Sequence, residues 1–268
     1  AVGLTLDEIR IANTPASFEP TLDYVVTKIA RFPFDKFSDA SNKLGTQMKA
    51  TGEVMSIGRT MEESLLKAVR SLETGVCHIY HKKFDKWSND DLLVYIKGGT
   101  DDRLYAIGQL IRNGVDLALI YDKTKIDMFF LEKFKNIVEF ENVVRAHPMD
   151  VETLRAAKRM GFSDKYIGQL WGLSQNEMYR LREKNNVFPV YKMIDTCASE
   201  FASYVPYFYS TYASENESVV SDKKKIIVLG SGPIRIGQGV EFDYSTVHAV
   251  HAIQQLGYEA IVINLSLI

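Results

Sequence analysis

Apolar and polar positions follow different periods in three parts of the chain. Residues 1 to about 70 combine strand-like alternation with a helical stripe. Residues 74 to about 186 carry successive helical stripes, each separated from the next by capping residues or glycines. Residues 222–268 contain a strand, a helix and a second strand. The patterns predict a mixed α+β fold whose longest part is mainly helical.

The first part is predicted to contain two strands and a helix. LDYVVTKI (22–29) alternates and is rich in β-branched residues, and MKATGEVMSIG (48–58) contains a second extended piece. TMEESLLKAVRSL (60–72) is predicted to be helical, because Thr60 can cap it and its apolar residues recur on one side. The N-terminal AVGLTLDEI is interpreted as the end of another helix.

The middle part is predicted to be a compact helical domain, because its connections are short. Six residues are predicted to cap helices: Ser88, Thr100, Thr124, Asp150, Ser163 and Ser174. The longest helix is predicted to open at Thr124 and to stop before Pro148. Its apolar side consists of Met128, Leu131, Phe134, Ile137 and Val138.

The chain changes character again after the helical part. Residues 187–212 contain two prolines and five tyrosines and are interpreted as an extended, packed connector. Residues 214–224 are polar and predict a linker or exposed loop. KIIVLG, a helix near Tyr244 to Leu256, and YEAIVIN then predict one βαβ unit.

Composition is that of a globular protein. Apolar residues make up 46% and charged residues 25%, and the net charge of −2 gives no reason to expect nucleic acid or an anionic membrane as a partner. No apolar run is long enough to span a bilayer, and the N-terminus lacks the features of a secretory signal. The two cysteines, Cys77 and Cys197, indicate a reducing, cytoplasmic setting with buried, inert thiols. A reactive nucleophile would need a nearby base.

A glycine-rich turn follows the KIIVLG strand. Gly230 and Gly232 fit the first and third positions of the dinucleotide fingerprint, but Arg235 occupies the sixth, where a glycine is required. The Gly-Lys-Ser/Thr ending of the other common nucleotide motif is absent. The loop also contains Gly237 and Gly239. Its glycines allow two interpretations: a loop whose backbone approaches a phosphate closely, or a tight turn that packs on a neighbouring element. The sequence leaves both interpretations open.

Two further patterns are interpreted as structural. Residues 150–186 resemble a helix-turn-helix, in which Gln175, Asn176, Arg180 and Arg182 would contact bases. No basic surface accompanies this pair of helices, so a packing unit is favoured. His78 and His81 are three residues apart but lie in an extended segment, which favours polar surface sequence over a metal site.

Two glutamates stand in apolar or glycine-rich settings. Glu53 lies in TGEVMSIG and Glu241 in GQGVEFDY. A carboxylate beside a glycine turn can lie in a polar cavity and accept hydrogen bonds there. The residues alone favour a capping or exposed glutamate.

Four strings in this order resemble the large subunit of carbamoyl phosphate synthetase. They are SFEPTLDYVVTKIARFPFDKF, QMKATGEVMSIGRTMEESLLKA, FPVYKMIDTCASEFASYVPYFYSTY and GSGPIRIGQGVEFDYSTVHA. The resemblance covers essentially the whole chain, and the last two strings are the most specific.

The resemblance implies an ATP-dependent carbon–nitrogen ligase. Such a subunit has two similar halves, each an ATP-grasp unit preceded by a small α/β domain, joined by a helical oligomerisation domain. The first half makes carboxyphosphate from bicarbonate and ATP, and ammonia converts it to carbamate. The second half phosphorylates the carbamate. A glutamine-hydrolysing small subunit supplies the ammonia, and intermediates move through an internal tunnel.

By this resemblance, residues 1–70 are the C-terminal part of the first ATP-grasp domain. Residues 71–220 are the helical oligomerisation domain with its connector, and residues 222–268 begin the second-half pre-ATP-grasp domain. The chain is then an internal fragment without a complete catalytic site. ATP, magnesium or manganese, and potassium are the family's cofactors, and we expect this fragment to bind none of them. The expected partners are the glutaminase subunit and further copies of the chain.

Within the family, the glutamates of GEVM and EFDY line the tunnel, which assigns that role to Glu53 and Glu241, with Arg235 in the same loop. Three features depart from the family's pattern. Ala30 replaces a usual proline, the turn in RIANTPASFEP is short, and NLSLI replaces the usual run after the last strand, which suggests a truncated product. The alternative function is a stand-alone helical interaction module with a nucleotide-binding tail. ATP titration of the chain and of Gly232→Val distinguishes the two.

Overall fold

The computed structural model describes residues 3–11, 14–34, 36–37, 39–49, 52–197, 206–230 and 240–264, with side chains of the last range described from residue 244 onward. The predicted fold class is confirmed: the described chain is mixed and mainly helical, with small two-stranded sheets. No helix in these ranges is long and apolar enough to cross a bilayer.

The N-terminal part consists of two antiparallel pairs of strands and a helix. Strands β1 (Arg10–Ile11) and β2 (Thr14–Pro15) form a short pair, and β3 (Val25–Arg31) pairs with β4 (Gly52–Gly58). Helix α1 (Met61–Ser71) packs on β3 and β4 and begins at Thr60, whose side chain accepts from the Glu63 amide. The prediction of a helix in AVGLTLDEI is wrong. Residues 3–9 form bends and turns, because Thr5 bonds locally to the Glu8 carboxylate and no apolar stripe holds a helix there.

The middle part contains one 3₁₀ helix and seven α-helices among the described residues. The 3₁₀ helix is Lys82–Phe84. The α-helices are α2 (Asn89–Ile96), α3 (Arg103–Arg112), α4 (Leu117–Thr124), α5 (Met128–Ala146), α6 (Val151–Arg159), α7 (Asp164–Trp171) and α8 (Gln175–Lys184). One continuous apolar core runs through them and reaches α1.

Capping chemistry predicted four of these helix starts. Ser88, Asp150, Ser163 and Ser174 each accept a backbone amide at a helix N-terminus, and Ser174 and Glu177 form a reciprocal capping box. Gly172 ends α7 in the left-handed conformation at φ +71°.

Two predicted caps are wrong. Thr124 does not open the longest helix. It ends α4, where its hydroxyl donates to the Ile120 carbonyl, and Asp127 caps α5 instead. Thr100 does not cap α3, because its hydroxyl donates to the Asp102 side chain and α3 begins after Asp102.

The connector folds back onto the N-terminal part. Strands β5 (Val190–Met193) and β6 (Phe208–Thr211) pair antiparallel, and β6 contacts β4. The predicted βαβ unit is confirmed: β7 (Lys225–Leu229) and β8 (Glu259–Ile263) are parallel, and α9 (Val240–Gln255) connects them. The domain boundaries at residues 70 and 220 stay predictions.

Candidate functional site

Glu53 lies on the outer face of the β3–β4 hairpin. Its strand neighbours Val54 and Ser56 face α1 and are buried, so the alternation of the strand turns Glu53 and Met55 outward. The Glu53 carboxylate forms an ion pair with Lys28 Nζ at 2.8 Å, and both side chains are more than half exposed. The carboxylate is therefore accessible to a polar ligand.

The glycine loop is only partly described. The Gly230 amide donates to the Ile263 carbonyl at 2.7 Å, and a Cβ at Gly230 would lie 3.0 Å from that oxygen. Close approach of the backbone to β8 therefore favours glycine here. Gly232, Arg235, Gly237 and Gly239 lie outside the described residues. Glu241 lies in the first turn of α9, but its side chain is not described. The structure thus does not test the proposed grouping of Glu53, Arg235 and Glu241.

Helix α1 carries a buried polar network that the sequence analysis missed. Lys67 Nζ donates to the Ile57 carbonyl of β4 at 2.8 Å and to the Ser210 carbonyl of β6, and it lies 3.0 Å from a Glu63 carboxylate oxygen. The Thr211 hydroxyl donates to Glu63 at 2.8 Å. Lys67 is 4% exposed, and burial lowers its pKa while Glu63 opposes that shift. The network fastens β6 to α1 and to the hairpin that carries Glu53.

The turn between α6 and α7 closes against the same helix. The Arg70 guanidinium donates to the Gly161 carbonyl at 2.7 Å. Gly161 has φ +92°, and a Cβ there would lie 2.8 Å from the Glu63 Cα atom. A glycine is required both by the backbone conformation and by the close approach of α1.

His78 lies in the core, so its interpretation as surface sequence is wrong. It is 1% exposed and stacks on Tyr166, with 3.7 Å between ring centroids. Its Nε2 atom lies 3.0 Å from a Glu141 carboxylate oxygen, and Arg112 Nε donates to the other oxygen at 2.9 Å. His78 is buried because its ring packs against aromatic side chains and its Nε2 atom contacts the buried Glu141 carboxylate.

The Glu141 cluster has strongly shifted pKa values. Burial lowers the pKa of His78 to about 4, although the hydrogen bond to Glu141 raises it. Burial alone would raise the pKa of Glu141, but hydrogen bonds from His78 and Arg112 and the charge of Arg112 hold that pKa at about 2. Because the ionised carboxylate only accepts hydrogen bonds, the neutral His78 ring carries its proton on Nε2.

Buried ion pairs join the helices of the apparent helix-turn-helix, and the other three predicted base-contacting residues lie exposed on α8. Arg182 is buried, donates to both Asp164 carboxylate oxygens and donates to the Val187 carbonyl at 3.0 Å. Lys158 Nζ binds the same carboxylate at 2.9 Å, and burial lowers the pKa of Lys158 to about 8. Since Arg182 joins α8 to α7, it does not present its guanidinium to a DNA base.

Histidines and cysteines form no metal centre among the described residues. In those ranges, no group of three or more His, Cys, Asp or Glu side chains converges as metal ligands do. His81 instead caps the 3₁₀ helix, where its Nδ1 accepts from the Lys83 amide at 3.0 Å. Cys77 and Cys197 are free thiols, and both are half-buried rather than buried as expected.

Comparison with protein families gives two matches. Residues 53–186, half of the chain, match the model of the carbamoyl-phosphate synthetase large chain, oligomerisation domain. Residues 222–267 match the model of the carbamoyl phosphate synthase preATP-grasp domain. The first match runs from Glu53 through the end of α8, and the second covers the βαβ unit.

Proposed function

Because the chain belongs to the carbamoyl-phosphate synthetase large-chain family, we propose that it is a structural, self-associating segment of a glutamine-dependent synthetase. The observation that carries this proposal is the oligomerisation-domain match over the helical core. Two buried carboxylates of that core, Glu63 and Glu141, are engaged in ion pairs with Lys67 and Arg112. Those ion pairs join neighbouring elements of the fold, which is consistent with a structural role.

An exposed apolar patch supports self-association. It is formed by Phe129 and Phe130 at the start of α5, whose rings lie 5.3 Å apart, and Tyr121 on the contacting helix α4 is also exposed. Phe129 is 51% exposed and Phe130 is 41% exposed. Exposed aromatic side chains are typical of protein interfaces, where their burial contributes most of the binding energy. A second copy of the chain is the partner that we assign to this patch.

The remaining family properties belong to the larger enzyme in this proposal. Ammonia comes from a glutaminase subunit, and ATP, magnesium and potassium bind to parts of the synthetase other than this segment. Glu53, Arg235 and Glu241 contribute to the wall of the tunnel. The Glu53 carboxylate supports this role, because it is exposed on the outer face of the hairpin and accessible to a polar ligand.

The chain alone is expected to form no carbamoyl phosphate. The assay supplies ATP, magnesium, potassium and bicarbonate, with either ammonia or glutamine, and measures carbamoyl phosphate by trapping it with ornithine and ornithine transcarbamoylase. A complete two-subunit synthetase serves as the positive control. Product that increases in proportion to the concentration of the chain, and that requires both ATP and bicarbonate, would overturn this part of the proposal.

A further inference from the structure

A surface cavity of about 260 Å³ lies between residues 74–82 and helix α7. His78 and Tyr166 form part of its wall, and Lys82, Lys165 and Gln169 contribute polar groups. The proposed self-association and tunnel roles use none of these polar groups. The cavity is large enough for a small metabolite-sized ion and open enough for it to enter.

Two lysines from different elements line the cavity. Lys82 belongs to the 3₁₀ helix and Lys165 to the first turn of α7. Both are exposed, and neither belongs to any ion pair among the described residues. Like charges across a concave surface repel each other, and a bound anion relieves that repulsion.

A histidine adds a hydrogen-bond donor to the same cavity. His81 Nδ1 accepts from the Lys83 amide, so the neutral ring carries its proton on Nε2. His81 and Gln169 both line the cavity. Since the pKa of His78 is lowered to about 4 by burial, that ring is neutral near pH 7 and the positive charge comes from the lysines.

Carboxylates near the cavity are engaged elsewhere. Asp85 accepts the Tyr80 hydroxyl at 2.8 Å. Glu141 is bound by His78 and Arg112, and Asp164, which precedes Lys165, is bound by Lys158 and Arg182. Glu73 is exposed and does not line the cavity. The positive charge of the lining therefore has no carboxylate within the lining to balance it.

We propose that this cavity binds a small oxyanion of the size of phosphate or a short carboxylate. Lys82 and Lys165 supply the charge, and His81 and Gln169 donate hydrogen bonds to the anion's oxygens. Two ammonium groups and two neutral donors match the acceptor-only surface of such an ion.

Inorganic phosphate is the first probe. The ¹⁵N-labelled chain is titrated at low ionic strength, and amide shifts are followed in residues 74–82 and 164–169. The expected result is saturable binding with a dissociation constant on the order of 1 mM. Lys82→Gln and Lys165→Gln are each expected to weaken it about fivefold, as loss of one partly exposed charge contact predicts.

Lys184→Gln is the matched control, because Lys184 is exposed at the end of α8, outside the cavity. It is expected to leave phosphate binding unchanged. An acetate titration distinguishes the two candidate ligand classes, carboxylates and phosphates. Tighter binding of acetate assigns the cavity to carboxylates, and tighter binding of phosphate assigns it to phosphate groups. Shifts that never saturate, that sodium chloride reproduces at equal ionic strength, or that weaken equally in Lys184→Gln would overturn the proposal.

Discussion

Replacing Glu141 by glutamine is expected to lower the free energy of unfolding by about 3 kcal/mol, because the change leaves the largely buried Arg112 guanidinium without its counter-charge. Arg112 donates two hydrogen bonds to the Glu141 carboxylate, and His78 approaches one of the same oxygens. The glutamine amide keeps the shape of the side chain but presents one acceptor oxygen instead of two and carries no charge.

Chemical denaturation of the wild type and of Glu141→Gln measures this loss. Glu139→Gln is the control, since Glu139 lies on the exposed side of the same helix in a surface ion pair with Lys135. That control is expected to change stability by at most about 0.5 kcal/mol. Equal stabilities for Glu141→Gln and Glu139→Gln would show that the buried cluster does not stabilise the fold.

The same cluster contributes to the loss of stability in acid. His78 has a folded pKa of about 4, below its ordinary 6.5, so the unfolded chain binds more protons between these values and stability falls as pH falls through that window. Glu141 has a folded pKa of about 2, so its contribution to the free energy of unfolding is present above its ordinary pKa of 4.5 and is lost between pH 4.5 and pH 2. Glu141→Gln is expected to remove this loss between pH 4.5 and pH 2.

Replacing Lys67 by methionine is expected to destabilise the chain by about 2–4 kcal/mol, because it removes the donor shared by three segments. Methionine fills a similar volume, but the Ile57 and Ser210 carbonyls lose their hydrogen bonds and the Glu63 carboxylate loses its ammonium partner. Both β4 and β6 are therefore expected to loosen.

Amide hydrogen exchange distinguishes this coupling from a general loss of stability. Exchange is expected to accelerate in residues 52–58 and 208–211 more than in α5 and α7. Lys135→Met, which removes a lysine from the exposed side of α5, is the matched control. Faster exchange spread evenly over all helices would contradict a local role for Lys67.

Four helix starts could be predicted because the cap is a local chemical signal. Ser88, Asp150, Ser163 and Ser174 each accept from the amide three positions on, so the sequence alone contains the whole interaction. Helix α4 was missed although Asp116 accepts from the Ala118 amide at its start. Its end at Lys125 adopts the left-handed conformation at φ 55° without a glycine. The sequence carries no signal for that turn.

Several contacts of the buried polar networks could not be predicted because the partners are far apart in the chain. Glu141 and His78 are separated by 63 positions, and Lys67 and Ser210 by 143. One signal was present: Glu141 shares the apolar side of α5 with Ile137, Val138 and Val144. A carboxylate at such a position requires a buried partner, although the sequence does not identify it.

The sequence did not show that Glu53 faces outward, because that depends on the register of the β3–β4 hairpin. Ala30 lies opposite Glu53, and the lysine two positions earlier, Lys28, reaches the carboxylate diagonally across the strands. The strands were predicted, but their pairing and the face that α1 covers follow from tertiary packing.

Sedimentation equilibrium of the chain tests the proposed self-association most directly. The wild type is expected to form a reversible dimer or larger oligomer over the micromolar range, and Phe130→Asp is expected to sediment as a monomer because a charge in the apolar patch resists burial. Glu139→Gln, with an unchanged apolar patch, is expected to associate like the wild type. A wild-type chain that stays monomeric at several hundred micromolar, in the range where weak interfaces associate, would contradict the account.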